Sequence, residues 1–251
     1  MFSFFSKKNT LQSPGYFTFN TDVHSHILPG IDDGSPDLET SLQLIQGLYA
    51  LGIRKCIATP HIIGDLYRNN PEIIGSALQK VITGCQETGI EMEITAAAEY
   101  MLDDYFIELL QQKKSLLCLH KNIILTELPF SIKPDNIEDI VFKMLTEGYK
   151  PVLAHPERYS YFHRNYNFYN RLKELGFILQ VNLLSLTGYY GDAVKKAALY
   201  LIKNDLVSLV GTDLHHHKHL AALANTGNQH IFDSYLGNRN WNDLELLAIQ
   251  P

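Results

Sequence analysis

The sequence predicts an α/β fold built on parallel strands, either a barrel or a doubly wound sheet. Seven short apolar segments alternate with amphipathic helical stretches, and glycines recur where a helix must stop before a strand. No linker, low-complexity tract or repeat divides the chain. Successive strand-then-helix units require parallel strands joined by right-handed crossovers. With 251 residues, 45% hydrophobic and 19% charged, the chain can bury a large single core. Residues 20–251 are expected to form that one domain, with residues 1–19 as an N-terminal extension.

In chain order, the strands are expected over residues 19–23, 55–59, 93–97, 123–127, 151–154, 178–182 and 206–210. After the first, Leu38, Leu42, Ile45 and Tyr49 are spaced four, three and four apart. This spacing lays one apolar stripe along a helix. Ser35-Pro36 reads as the N-cap and first helical position, and Gly52 as the stop. Gly89, Gly148 and Gly176 close later helices just before strands. The aromatic run from Tyr159 to Tyr169 has helical spacing, so half of it is assigned to core packing.

Charge and cysteine content exclude several function classes. Twenty-one Lys and Arg against 27 Asp and Glu leave a net charge of -6, which opposes nonspecific nucleic-acid binding. Three irregularly placed cysteines build neither a disulfide framework nor a C-x-x-C zinc site, and they fit a reducing cytoplasm. No apolar run reaches spanning or signal-peptide length, so no transmembrane segment is expected. A cysteine-dependent tyrosine phosphatase is excluded as well. It needs C-x5-R, and the residues six beyond Cys56, Cys85 and Cys118 are Ile62, Glu91 and Ile124.

In parallel α/β folds the carboxyl ends of strands converge on one site. The polar residues there are His24 and His26, then His61, Glu99, Glu127, His155, Asn182, and finally Asp213 with His215. One H-x-H pair means little among 11 histidines, since chance supplies roughly half a pair per chain. Imidazoles together with carboxylates suit divalent zinc, manganese or iron, and a carboxylate can bridge two ions. Asp32-Asp33 adds hard oxygens. More ligands than one ion holds imply a cluster, and clustered ions favour phosphoester hydrolysis. Arg158, in the Pro156-Glu157-Arg158 segment directly after His155, is the candidate phosphate-binding cation, with Arg68 a second and Tyr159 a substrate contact.

Each of these residues also has a structural reading. A lone strand-end histidine is more often hydrogen-bonded than metal-bound. Glu127, followed by Leu-Pro-Phe, is as easily a buried structural acid as a ligand. One of Asp32 and Asp33 is expected to be a local cap. His216, His217 and His219 are assigned to a solvated loop. A shallow site rimmed by Tyr67, Tyr100 and Tyr159 would fit a protein substrate, and a deep polar pocket a small one.

The segments Asp22-Val23-His24-Ser25-His26, Asp32-Asp33-Gly34, Ala58-Thr59-Pro60-His61, Ala97-Ala98-Glu99-Tyr100, Leu153-Ala154-His155-Pro156-Glu157-Arg158-Tyr159 and Gly211-Thr212-Asp213-Leu214-His215 resemble the polymerase and histidinol phosphatase (PHP) superfamily. Within it they are most similar to bacterial PHP-type protein-tyrosine phosphatases of capsule and exopolysaccharide systems. The resemblance implies a distorted (β/α)7 barrel. It makes His24, His26, Asp33, His61, Glu99, His155, Asp213 and His215 ligands of two to three divalent ions, manganese first, with Glu99 bridging. It also implies a tyrosine-kinase tail as substrate. Where relatives carry an arginine after the last motif, this chain has only Lys218. A small-substrate PHP enzyme acting on histidinol phosphate, or a noncatalytic partner of the kinase, are the alternatives.

Overall fold

A computed structural model describes residues 17–237 and 239–249; residues 1–16 of the expected N-terminal extension lie outside them. The elements run β1 (Thr21–Ser25), α1 (Leu38–Ala50), β2 (Lys55–Ala58), β3 (His61–Ile62), α2 (Pro71–Thr88), β4 (Glu93–Ala96), β5 (Glu99–Met101), α3 (Asp104–Gln111), β6 (Ile123–Glu127) and α4 (Ile137–Thr146). They continue with β7 (Lys150–Ala154), α5 (Asn167–Leu175), β8 (Ile178–Asn182), α6 (Leu183–Thr187), α7 (Asp192–Lys203), β9 (Leu209–Gly211), α8 (His217–Leu223), α9 (Thr226–Leu236) and α10 (Leu244–Ile249).

All strand pairs are parallel, in the orders β1-β2-β4 and β3-β5-β6-β7-β8-β9. Two of the seven predicted segments bend at their ends, which is why nine strands appear. β2 passes through Thr59-Pro60 into β3, and β4 through Ala97-Ala98 into β5. Backbone bonds carry the pairing across the bend, from Ala97 N–H to Ala58 O (2.8 Å) and from Glu99 N–H to Pro60 O (3.1 Å). The ring closes where β9 meets β1. There His26 N–H donates to Leu214 O at 2.9 Å and Asp213 N–H to His24 O at 2.8 Å. The architecture is thus a distorted (β/α)7 barrel. Its distortion is the split between the two sheets, since β4 pairs only with β2 while β5 pairs with β6.

Inside the barrel, Val23, Ile57, Ala97, Ile123, Leu125, Val152 and Leu209 form an apolar plug closed from below by Leu244 and Leu247 of α10. Lys150 Nζ fastens that helix by donating to Leu247 O (3.2 Å) and Ala248 O (3.0 Å). A filled interior leaves only the strand ends for chemistry. The outer helices bury the larger cluster, to which Tyr159, Phe162 and Tyr169 belong. The N-cap of α1 is Asp37, whose side chain accepts from Thr40 N–H at 2.8 Å, and not Ser35. Ser35 instead bonds to Asp37 O at 2.9 Å. The first strand starts two residues later than expected, which puts His24 within β1.

Candidate metal centre and active site

Seven strands deliver their terminal polar side chains to one mouth of the barrel. Three routes are local. The pleat of β1 sends His24 and His26 to the same side. Gly34 comes so close to His26 that a Cβ would lie 2.1 Å from its carbonyl oxygen, and this contact brings the Asp32-Asp33 turn over the ring. His155 and Asp213, just past β7 and β9, hold left-handed backbones with φ of 37° and 51°. Non-glycine residues adopt that region at a cost of about 1–3 kcal/mol, and sites of function commonly carry such strain.

At the centre is Glu99, fully buried. Its Oε2 lies 3.2 Å from His24 Nε2, 3.3 Å from His26 Nε2 and 3.2 Å from His61 Nδ1. Its Oε1 lies 3.0 Å from His155 Nε2. Asp213 Oδ1 is 3.4 Å from His24 Nε2, 3.5 Å from His26 Nε2 and 3.4 Å from His215 Nδ1. Asp33 Oδ1 faces His61 Nε2 at 3.4 Å and His215 Nε2 at 3.7 Å. Glu127 Oε1 approaches His61 Nδ1 at 2.9 Å, yet Glu127 Oε1, His61 Nδ1 and Glu99 Oε2 are all buried without an aligned hydrogen bond.

The rings are also anchored from behind. His26 Nδ1 sits 2.8 Å from Asp32 Oδ2, and His215 Nδ1 2.9 Å from Asp213 O. Both partners accept, so these nitrogens carry hydrogen and, in the neutral rings, the Nε2 lone pairs point at carboxylates. His24 Nε2 and His26 Nε2 are only 3.3 Å apart. Electron-pair donors crowded this way repel one another unless a proton or a cation lies between them. Divalent cations match the set. Among the described residues, four groups have donor atoms within 4.8 Å of one another: His26, Asp33, His61 and His215; His24, His26 and Asp213; His24, Glu99 and His155; His61, Glu99 and Glu127. Glu99 belongs to two groups, the placement a bridging carboxylate requires.

With protons alone in the centre, the same crowding appears as shifted titration. Burial opposes charge on His24, but Glu99 and Asp213 overcome it and lift the ring to about 9. His26 rises well above its usual range against the same burial, through Asp32 and Glu99. Glu99 is held well below the carboxylate range despite burial, chiefly by His24 and His61. Burial, with His26 adding to it, pushes His215 down to about 4. Protons and metal ions therefore compete for one set of lone pairs.

A cavity of about 280 Å³ opens over the cluster, lined by Asp33, His61, Glu127, Phe130, His155, Arg158, Tyr190, Asp213, His215, His216 and His219. The Arg158 guanidinium lies 5.0 Å from the Phe130 ring centre and 4.6 Å from that of Tyr190. Its Nη1 donates to Asp213 Oδ2 at 2.8 Å. The aromatic slot keeps the guanidinium beside the cluster with other donors left over.

The structure brings His24, His26, Asp33, His61, Glu99, His155, Asp213, His215 and Arg158 together. Two expected substrate contacts lie apart from the mouth. Tyr159 is fully buried, its hydroxyl accepting from Leu128 N–H at 2.9 Å, because the one-turn 3-10 helix after β7 turns it under the His155 ring. Arg68 Nε is engaged by Gly64 O, and the residue lines a separate depression among Asp65, Asp103, Asp104 and Glu108. Of the three tyrosines that would rim a shallow site, Tyr67 stacks on His61 with ring centres 5.9 Å apart, whereas Tyr159 and Tyr100 are buried. Tyr100 is 2% exposed, and Phe130 and Tyr190 line the opening instead. His219 is buried against Asp213 O at 3.1 Å, and it lines the cavity with His216, where a solvated loop was expected. Glu127 resolves toward the cluster, and strand-end position was its only signal.

Comparison with known proteins gives the same direction. The family model described as capsular polysaccharide synthesis, CpsB/CapC, matches residues 20–239. Tyrosine-protein phosphatase YwqE of Bacillus subtilis (strain 168) is 30% identical over 197 residues, 78% of this chain and 78% of its own. Tyrosine-protein phosphatase CpsB of Streptococcus pneumoniae is 29% identical over 201 residues, 77% of this chain and 82% of its own. A solved structure from work on YwqE and CpsB, described as unique metal-dependent tyrosine phosphatases, superposes with a TM-score of 0.74 at 27% identity. It covers 88% of this chain and 96% of that one. A lactonase from Listeria monocytogenes shares the fold alone, with a TM-score of 0.52, 12% identity and coverage of 89% and 94%.

Proposed function

Because the chain belongs to the capsular polysaccharide synthesis family CpsB/CapC, we propose that it is a metal-dependent protein-tyrosine phosphatase whose substrate is the tail of a bacterial tyrosine kinase of capsule or exopolysaccharide synthesis. The observation that supports it most is Glu99 Oε2, buried without a hydrogen bond and faced by three imidazole nitrogens at 3.2–3.3 Å. His24, His26, Asp33, His61, Glu99, His155, Asp213 and His215, joined by Glu127, would hold two to three divalent ions. Manganese is the metal we assign, and the same donors accept iron or zinc. When bound, such ions lower the pKa of water toward neutrality and offset charge on phosphoryl oxygens.

The chain's own part is positioning. Arg158 keeps its fork beside the cluster through Asp213, and its remaining N–H donors are the ones to hold phosphoryl oxygens. Phe130 and Tyr190 flank that guanidinium and present aromatic walls to a phenyl ring. Tyrosine leaves as a phenolate whose conjugate acid has a pKa near 10, so a strong proton donor is unnecessary. Residues 20–251 form the catalytic domain in this reading. A cytoplasmic location agrees with three free cysteines, and no helix among the described residues is long and apolar enough to cross a membrane.

Hydrolysis of a phosphotyrosine peptide, a phosphoserine peptide and histidinol phosphate with added Mn²⁺ tests the reading. Turnover of the first, dependent on Mn²⁺ and well above the other two, supports it. Preference for histidinol phosphate would make it a small-substrate enzyme, and no turnover of any would leave a binding protein.

A further inference from the structure

Behind the cluster, two buried amides join its opposite sides. Asn182 Nδ2 lies 2.7 Å from Asp213 Oδ2, Asn182 Oδ1 lies 3.0 Å from Gln180 Nε2, and Gln180 Oε1 lies 2.8 Å from His24 Nδ1. Gln180, Asn182 and His24 are fully buried, so water does not compete for these bonds. A primary amide has one accepting and one donating end, and a chain of amides therefore has a direction.

The direction is set at Asp213. Arg158 Nη1 also donates to Oδ2 of this carboxylate at 2.8 Å, and an ionised carboxylate only accepts. Asn182 must then donate with Nδ2 and turn its oxygen to Gln180. Gln180 must donate in turn and present its own oxygen to His24. His24 Nδ1 must carry hydrogen, which in the neutral, metal-binding ring leaves the Nε2 lone pair facing Glu99 and Asp213 at 3.2 and 3.4 Å. The same chain occupies Oδ2 of Asp213, so that Oδ1 is the oxygen facing the imidazoles. Buried Glu157 steadies the chain from below, its Oε1 accepting from Asn182 N–H at 2.9 Å and from Ser185 Oγ at 2.6 Å. Gly211 leaves the space: a Cβ there would stand 2.6 Å from His24 Cβ and 2.9 Å from Gln180 Nε2.

We propose that Gln180 and Asn182 are positioning residues, a directional amide relay that sets the His24 tautomer and the Asp213 orientation for metal binding. The proposal rests on the reading of the donor cluster as a metal centre. It predicts that ligand geometry depends on the polarity of two side chains that touch no ion.

Calorimetric titration of metal-stripped full-length protein with Mn²⁺, alongside melting of the metal-free protein, tests it. Gln180→Met keeps volume but loses both bonds. It is expected to weaken Mn²⁺ binding about 10–100-fold while the metal-free protein melts as wild type does. Gln180→Glu keeps an accepting oxygen for His24 Nδ1–H and, as the neutral acid that burial favours, a donor for Asn182 Oδ1; it is expected to recover most of that loss, which a packing role would not do. Mn²⁺ affinity within about threefold of wild type in Gln180→Met, or equal weakness in Gln180→Met and Gln180→Glu, would overturn the relay. Should Gln180→Met not fold, Gln180→Asn, which is one methylene too short to reach both partners, replaces it with the same two outcomes. His24→Ala is the control. Wild-type Mn²⁺ affinity there would overturn the metal-centre reading and the relay with it, whereas lost affinity there with a normal Gln180→Met overturns the relay alone.

Discussion

Arg158 and His155 carry the mechanism at the scale of single residues, and each is expected to lose turnover when truncated. Arg158→Ala removes the donors meant for phosphoryl oxygens, so kcat/KM for a phosphotyrosine peptide is expected to fall about 10²–10³-fold. His155→Ala takes a nitrogen from Glu99 Oε1 and is expected to lose turnover with it, circular dichroism melts showing the fold kept in both variants. Retained turnover would remove that residue from the mechanism. Titration supplies a second expectation. His24 sits at about 9 in the folded, metal-free chain against an ordinary 6.5, so the folded state keeps a proton that the unfolded state releases. That stabilisation is complete below pH 6.5 and disappears as pH rises through 9. The metal-free melting temperature should therefore drop between these values, by on the order of 10 °C, and Mn²⁺ should abolish the drop. A flat or rising profile without metal contradicts the lifted imidazole. Strand-end histidines and acids were legible in the sequence because donors of one chemical class end successive apolar strands, a joint pattern that separate structural roles do not produce. Tyr159 and Arg68 were not, since the sequence does not reveal that one 3-10 turn rotates the first inward or that a loop carbonyl holds the second.

Among elements, the short strands decide the geometry. The bends after β2 and β4 turn single apolar segments into two strands each, and they are what place His61 and Glu99 side by side, paired in register between β3 and β5. Apolar patterning showed the segments but not the bends, because Thr59-Pro60 and Ala97-Ala98 read as ordinary strand ends. Helix stops were better marked: Gly89 and Gly176 hold the left-handed C-caps expected of them, with φ of 71° and 109°. The start of α1 was misplaced because Ser35, Pro36 and Asp37 all suit a helix start, and the hydrogen bond to Thr40 N–H selects Asp37. β9 is held against β1 by the bareness of Gly211. Gly211→Ala would force a Cβ to within 2.6 Å of His24 Cβ. It is expected to cost about 1–3 kcal/mol in urea unfolding and to weaken Mn²⁺ binding; unchanged stability would show that the seam has slack.

For the molecule as a whole, the barrel separates stability from chemistry. The apolar plug sealed by α10 fills the lower half, while buried histidines and carboxylates fill the upper mouth and gain little from burial on their own. Such a mouth is stable with cations in it, so chelation should lower the melting temperature and Mn²⁺ should restore it, the shift growing with free metal as binding linkage requires. The sequence showed the parallel α/β order of this molecule and the class of its donors. Closure into a barrel is a property of the β9 to β1 seam, two backbone bonds between residues 188 and 189 positions apart, and no local pattern announces it. Anomalous diffraction from crystals soaked in Mn²⁺ tests the central claim most directly. Two or three peaks are expected in the mouth, at least one about 2.0–2.2 Å from a Glu99 carboxylate oxygen with imidazole nitrogens completing its shell. A mouth without peaks, with Glu99 still facing His24, His26 and His61, would contradict it.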